Sequence, residues 1–186
     1  MKFKEFIFII PARKGSKGIK NKNIIKIRNK SLVEYTFETL NKIPSNRKYV
    51  LTDSEKVKKI ANKYKINGVI LTNTTDSNRE SLLSDNKAEI GGLSGKPLRD
   101  LSTKLIKRFY KDLRGKVPII GVGGVDSGKS AFEKISAGAS ALQLYTGMIY
   151  GGPLIVKKIK KDLIKIIKEQ GFKNIKEAIG SYSNKV

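Results

Sequence analysis

The sequence predicts an α/β fold built on a parallel sheet of about five βα units, and three observations carry that reading. Short apolar runs alternate with amphipathic stretches along the chain. Each apolar run opens at its C-terminal end into a loop rich in Gly, Ser, Thr or Asn. The length of 186 residues suits one domain or two very small ones and falls short of the ~250 residues typical of a complete (β/α)₈ barrel.

The apolar runs read as strands at Phe6 to Ile10, Lys48 to Leu51, Gly68 to Leu71, Val117 to Val122 and Ala141 to Tyr145. The amphipathic stretches between and after them read as helices at Leu32 to Lys42, Glu55 to Tyr64, Leu98 to Leu113, Lys129 to Ser136 and Pro153 to Glu169, with a short one near Ile175 to Ile179. In the Pro153 to Glu169 stretch, Leu154, Ile155, Ile159, Leu163, Ile166 and Ile167 form one apolar stripe. That spacing predicts a helix packed on the outside of the sheet, with its lysines in water. Loops follow the strands at Pro11 to Gly18, Thr52 to Ser54, Thr72 to Thr75, Gly121 to Ser127 and Thr146 to Gly152. In parallel α/β folds ligands bind at that edge, because the loops turn backbone N–H groups toward an anion. Function is therefore expected there.

Composition narrows the chemistry. The chain has 39 Lys+Arg against 16 Asp+Glu, a formal charge of +23, and neither His nor Cys. Disulfides, thiolate nucleophiles, cysteine-bound metals and histidine bases are thereby excluded. Only seven of the 39 basic residues are Arg, and the lysines spread from Lys2 to Lys185, so the charge reads as a solvated surface and no nucleic-acid partner is expected. No stretch reaches the ~20 apolar residues of a membrane span, and the N-terminal residues do not form a convincing signal peptide. A cytoplasmic location is expected, with a peripheral one at the inner face of the membrane as the variant.

Two constellations carry the functional expectations. Ile9-Ile10-Pro11-Ala12-Arg13-Lys14-Gly15-Ser16-Lys17-Gly18, followed by Lys20-Asn21-Lys22-Asn23, places glycines, a hydroxyl and cations directly after a strand. With Leu32 to Leu40 and Val50-Leu51-Thr52-Asp53, the string resembles the N-terminal signature of acylneuraminate cytidylyltransferases, the CMP-sugar synthetases. That resemblance covers residues 1–66 and implies CTP contacts from Arg13, Ser16, Lys17, Lys22 and Asn23.

From Asn67 onward the strings change. Gly68-Val69-Ile70-Leu71-Thr72-Asn73-Thr74-Thr75, Gly91-Gly92-Leu93-Ser94-Gly95-Lys96-Pro97-Leu98, Ile119-Ile120-Gly121-Val122-Gly123-Gly124-Val125-Asp126-Ser127, Ala137-Gly138-Ala139-Ser140 and Gln143-Leu144-Tyr145-Thr146-Gly147 stand in order. Together with Gly171 to Gly180 they resemble the C-terminal half of dihydroorotate dehydrogenases, and Gly-Leu-Ser-Gly-Lys-Pro-Leu points to the quinone-using class. The resemblance implies that residues 67–186 form an FMN-binding half of a TIM barrel. Thr72, Gly95, Gly124, Tyr145 and Thr146 are implied FMN contacts, with Gly95 keeping a side chain away from the flavin. Asn73 and Thr74 are implied to hold dihydroorotate or orotate, and quinone is the implied oxidant. The family's serine base and FMN-contacting lysine lie in the other half of its barrel, so no residue here is assigned as the base and Lys48 is not assigned to the flavin. The chain is expected to be an incomplete catalyst, with a CTP-binding nucleotidyltransferase-like module or a nonfunctional chimera as the alternatives, and a half barrel with open sheet edges is expected to form a homo-oligomer, borrow a partner or aggregate. No metal site is expected.

One further string needs weighing. Gly123 to Ser130 spells Gly-x-x-x-x-Gly-Lys-Ser, the phosphate-loop pattern, with Lys129 in the lysine position. It lies inside the longer resemblance, and no later strand ends in an aspartate, so ATP or GTP binding is not expected.

Overall fold

The computed structural model describes residues 6–14, 19–75, 79–80 and 82–183. Its elements are β1 (Phe8–Pro11), β2 (Lys26–Ile27), β3 (Lys30–Ser31), α1 (Leu32–Asn41), β4 (Lys48–Leu51), α2 (Glu55–Lys63), β5 (Gly68–Leu71), α3 (Arg99–Leu113), β6 (Ile119–Val122), α4 (Gly128–Ser136), β7 (Ala141–Gln143), α5 (Thr146–Gly151), α6 (Ile155–Glu169) and α7 (Ile175–Ala178). Five strands form one parallel sheet in the order β1-β4-β5-β6-β7, and β2 and β3 pair as a small antiparallel ribbon.

The five expected strands and six expected helices all form; their edges differ for local reasons. β1 starts at Phe8 because its partner strand starts at Lys48, so Phe6 and Ile7 lie outside the ladder. β6 starts at Ile119 because Pro118 has no N–H to donate, although its carbonyl accepts from Val69 N–H at 3.0 Å. β7 stops at Gln143, whose partner Val122 is the last residue of β6. Tyr145 is thus no strand residue: it precedes α5, a helix the apolar pattern did not reveal.

Register decides which side chains share a face. Ile10, Val50, Val69 and Ile119 stand in one cross-strand row, and all four are buried. Against them pack Val33 and Phe37 of α1, Val57 and Ala61 of α2, and Ile106, Phe109 and Leu113 of α3. The neighbouring row, Pro11, Leu51, Ile70, Ile120 and Ala141, points the other way and runs from buried at Ile70 to exposed at both edges. Strands in chain order with their helices on a single face are the geometry of a barrel sector. The core crosses residue 66 without a break, since β4 pairs with β5 and Ile66 is buried among residues from both sides of it.

A second apolar cluster joins α4 to α6. Ile155, Ile159, Leu163 and Ile167 of α6 pack on Ala131, Phe132 and Ile135, with Phe172 and Ala178 closing one end. The apolar stripe of α6 is thereby used inside the protein, as its spacing predicted, while Leu154 is left mostly exposed. Among the described residues no helix is long and apolar enough to cross a membrane.

Candidate functional site

The C-terminal ends of β4, β5, β6 and β7 and the loops that follow the last three enclose a cavity of about 310 Å³. The loop after β5 enters first. Thr75 and Leu93 exchange two backbone hydrogen bonds, at 3.1 and 2.6 Å, so Asn73 and Thr74 lie beside Ser94 and Gly95. Arg79 secures the return of the loop: its guanidinium donates to the carbonyls of Lys87 at 3.0 Å, Glu89 at 2.8 Å and Gly91. No periodic pattern marks Arg79 for this duty, and sequence reasoning missed it. Gly95 has φ +78, and a β-carbon there would lie 2.8 Å from Thr146 Cγ2. The backbone turn and the neighbouring threonine both call for glycine at this position.

The loop after β6 is shaped by α3. Gly123 and Gly124 have φ of +107 and +70. A β-carbon on Gly124 would lie 2.7 Å from Arg99 Cα and 2.9 Å from Arg99 N, so only glycine lets this turn rest on the start of the helix. The amides of Gly123, Gly124 and Val125 have no protein acceptor among the described residues. The loop after β7 closes the cavity: a β-carbon on Gly147 would lie 2.4 Å from the Val125 carbonyl oxygen, and Thr146 Oγ1 and Ser94 Oγ are hydrogen-bonded at 2.9 Å. Thr72, Asn73, Thr74, Gly95, Gly124, Tyr145 and Thr146 therefore all line one cavity.

The lining is neutral. Thr72 is buried, its N–H donates to Val122 O at 3.3 Å, and its hydroxyl has no partner among the described residues. A buried hydroxyl without a partner costs about 1–3 kcal/mol, which suits a place where a ligand completes the hydrogen bonding. Asn73 Oδ1 accepts from Thr74 N–H at 2.8 Å, leaving the amide nitrogen as a donor. Charge stands behind the lining, where Arg99 and Glu133 form two contacts of 2.7 Å and Lys134 is fully buried. Burial first, and the nearby Arg99 second, push the Lys134 ammonium down to about 8.

The N-terminal candidates are brought together only in part. Arg13 and Asn23 line a second cavity of about 410 Å³ with Lys14, Asp53 and Arg108, and Asn23 Nδ2 donates to Arg13 O at 3.0 Å. Lys22 sits in a 3₁₀ turn and is not part of that lining. Ser16 and Lys17 lie outside the described residues. Lys48 is buried at the first residue of β4, the opposite end of the strand from the first cavity.

The phosphate-loop string folds for packing. Gly128 lies where a β-carbon would be 2.4 Å from Asp162 Cβ, so this glycine lets α4 approach α6. Ser127 and Ser130 cap each other at the start of α4 and bond to the Asp126 carboxylate at 3.1 and 2.9 Å. Those hydroxyls are occupied within the protein.

The dihydroorotate dehydrogenase family model matches residues 19–167. The chain belongs to the dihydroorotate dehydrogenase family. Its match begins at residue 19, inside the segment expected from its sequence to be cytidylyltransferase-like, and these comparisons lend that expectation no support. The quinone-dependent mitochondrial dihydroorotate dehydrogenase of Mus musculus is 49% identical over 128 residues, covering 69% of this chain and 32% of that protein. The Arabidopsis thaliana counterpart is 50% identical over 117 residues, covering 62% and 25%. The crystal structure of a ligand-free dihydroorotate dehydrogenase from Eimeria tenella superposes with a TM-score of 0.69 at 39% identity, covering 73% of this chain and 40% of that one. The chain thus spans about a quarter to a third of the length of these curated relatives.

Proposed function

We propose that the chain binds FMN in the 310 Å³ cavity and forms the flavin-holding part of a quinone-class dihydroorotate dehydrogenase. The observation that carries this reading is that every residue for which the family resemblance implies FMN contact lines one cavity at the C-terminal edge of the sheet. Residues present suit the cofactor: the unpaired amides of Gly123 to Val125 can solvate phosphate oxygens, and the orphaned Thr72 hydroxyl can take up one polar atom of the ring system. FMN, when bound, supplies the hydride-accepting chemistry that side chains lack. Asn73 and Thr74 offer a donor and a hydroxyl at the cavity mouth for the polar edge of dihydroorotate or orotate. Leu51, Leu98, Val122 and Leu144 line the same cavity and exclude water from it.

Catalysis by this chain alone is proposed to be slight. The described cavity lining offers hydroxyls and amides but no carboxylate or lysine to take a proton from carbon. Quinone is the proposed oxidant, which places the working enzyme at a membrane surface. The open sheet face, where Ile9 and Pro11 are exposed, favours self-association to cover it. One apolar core runs across residue 66, and the family match from residue 19 to 167 crosses it as well.

Titrating the purified chain with FMN while following flavin fluorescence tests the reading. Saturable quenching, with no comparable response to CTP, is the expected result, and dihydroorotate should bleach the bound flavin slowly or not at all. Absence of quenching overturns the FMN assignment, and rapid bleaching overturns the assignment of incomplete catalysis.

A further inference from the structure

Lys134 is the one lysine among the described residues with no exposed surface, and it faces no carboxylate within ion-pair distance. Its ammonium nitrogen instead donates to Ser102 Oγ at 2.9 Å, Thr103 Oγ1 at 3.1 Å and the Arg99 carbonyl at 3.4 Å. Three protons meet three acceptors, so the geometry fits the charged form. Ser102 passes the contact on, donating to Val122 O at 2.5 Å. Val122 is the last residue of β6, its carbonyl also accepts from Thr72 N–H, and the next two residues are the glycines of the cavity turn. Gly123 in turn lies against Ser102, where a β-carbon would be 3.2 Å from both Ser102 Cβ and Oγ.

We propose that Lys134 is a positioning residue of the cavity: through the Ser102 hydroxyl, its ammonium group holds the Val122 carbonyl and the Gly123-Gly124 turn in the arrangement that receives a phosphate group. Ser102 has a single hydroxyl proton. While Lys134 is an ammonium, it can only donate, and that proton goes to Val122 O. Once Lys134 loses a proton, its lone pair competes for the Ser102 proton and the hold on Val122 is released. The charged form also leaves a desolvated cation behind the turn, which favours an anion in front of it. The charged groups around Lys134 are Arg99 and Asp100 of α3 and Glu133 of α4; Arg99 opposes its protonation and the two carboxylates favour it.

The inference deepens the FMN reading and rests on it for the identity of the phosphate ligand. Two measurements keep the two separable. In the ligand-free protein, the amide shifts of Gly123 and Gly124 are followed by NMR from pH 6.5 to 9.5. They are expected to move together with a midpoint near the value of about 8 to which Lys134 is pushed, and to stay flat in Lys134→Met. Any contribution from the chain's α-amino group is common to both proteins and cancels. FMN and riboflavin are then titrated into both proteins. Lys134→Met is expected to weaken FMN about tenfold, through loss of the desolvated cation behind the turn, and to leave riboflavin unchanged. Glycine amides that do not titrate in the natural chain, or an equal loss for FMN and riboflavin, overturn the proposal. Titrating glycine amides in a protein that binds no FMN uphold the link between Lys134 and the turn and overturn the FMN reading instead.

Discussion

Arg99 and Glu133 meet edge to edge, Nε to Oε2 and Nη2 to Oε1, both at 2.7 Å, and the backbone of the same arginine is the surface on which Gly124 rests. The pair ties the start of α3 to α4 and so fixes the floor under the cavity turn. Arg99→Lys keeps the charge but cannot reproduce the fork. The expected outcome is a loss of about 1–2 kcal/mol in denaturant unfolding, since the pair is half-buried and partly screened, with FMN affinity falling in parallel.

Gly124→Ala tests the turn directly. At φ +70, with a β-carbon crowding the Arg99 backbone, any side chain is strained and has no flexible neighbour to displace. We expect a loss of about 2–3 kcal/mol in thermal or urea unfolding and no detectable FMN binding.

Thr72→Val separates ligand binding from folding. The Thr72 hydroxyl is buried without a partner, so replacing it with a methyl group of the same shape removes an uncompensated desolvation. Free protein is expected to gain about 1 kcal/mol in urea unfolding, while FMN affinity falls. A variant that loses stability without ligand would show that the hydroxyl already has a partner in solution.

For Lys134 the sign of the pH dependence follows from its position. Its proton is held less tightly in the folded chain, about 8, than at the ordinary value of 10.5. Below pH 8 both states are charged and the cost of burial is fully present. Between about 8 and 10.5 the unfolded chain binds more protons, so this residue makes stability rise with pH. Lys134→Met is expected to be neutral or to stabilise the chain by about 1–3 kcal/mol at pH 7 and to lose that alkaline rise in urea unfolding measured from pH 7 to 10.5. The hydroxyls it leaves behind keep their own acceptors, Ser102 to Val122 O and Thr103 to Arg99 O. Higher stability with weaker FMN binding is the combined signature.

The strands and helices were legible because burial on one side of a βα unit imposes a period on the sequence. Ser102, Ile106, Phe109 and Leu113 of α3, all buried, repeat at helical spacing. The cavity residues were legible for another reason: Gly123, Gly124 and Gly95 hold backbone angles that side chains rarely adopt, so they stand out as letters. Arg79, Lys134 and the Ser94–Thr146 hydrogen bond were not legible. Each acts on partners outside its own element, and a lysine in water and a lysine buried behind a glycine turn are the same letter. Tyr145 was misplaced in a strand because an aromatic residue fits a pleat as well as a helix start, and only the last rung at Gln143 ends the ladder.

The sequence by itself determined the class of fold, the order of its main elements, the edge at which the candidate site lies and the family to which the chain belongs, because local periodicity and glycine strings are written along the chain. Tertiary structure alone decided that the Thr72 hydroxyl has no partner among the described residues, that Gly128 of the phosphate-loop string is a helix contact, that only part of the N-terminal set converges, and that Lys134 is fully buried. Those outcomes depend on which surfaces meet across the sheet, and burial is a property of the assembled layers, carried by no single segment.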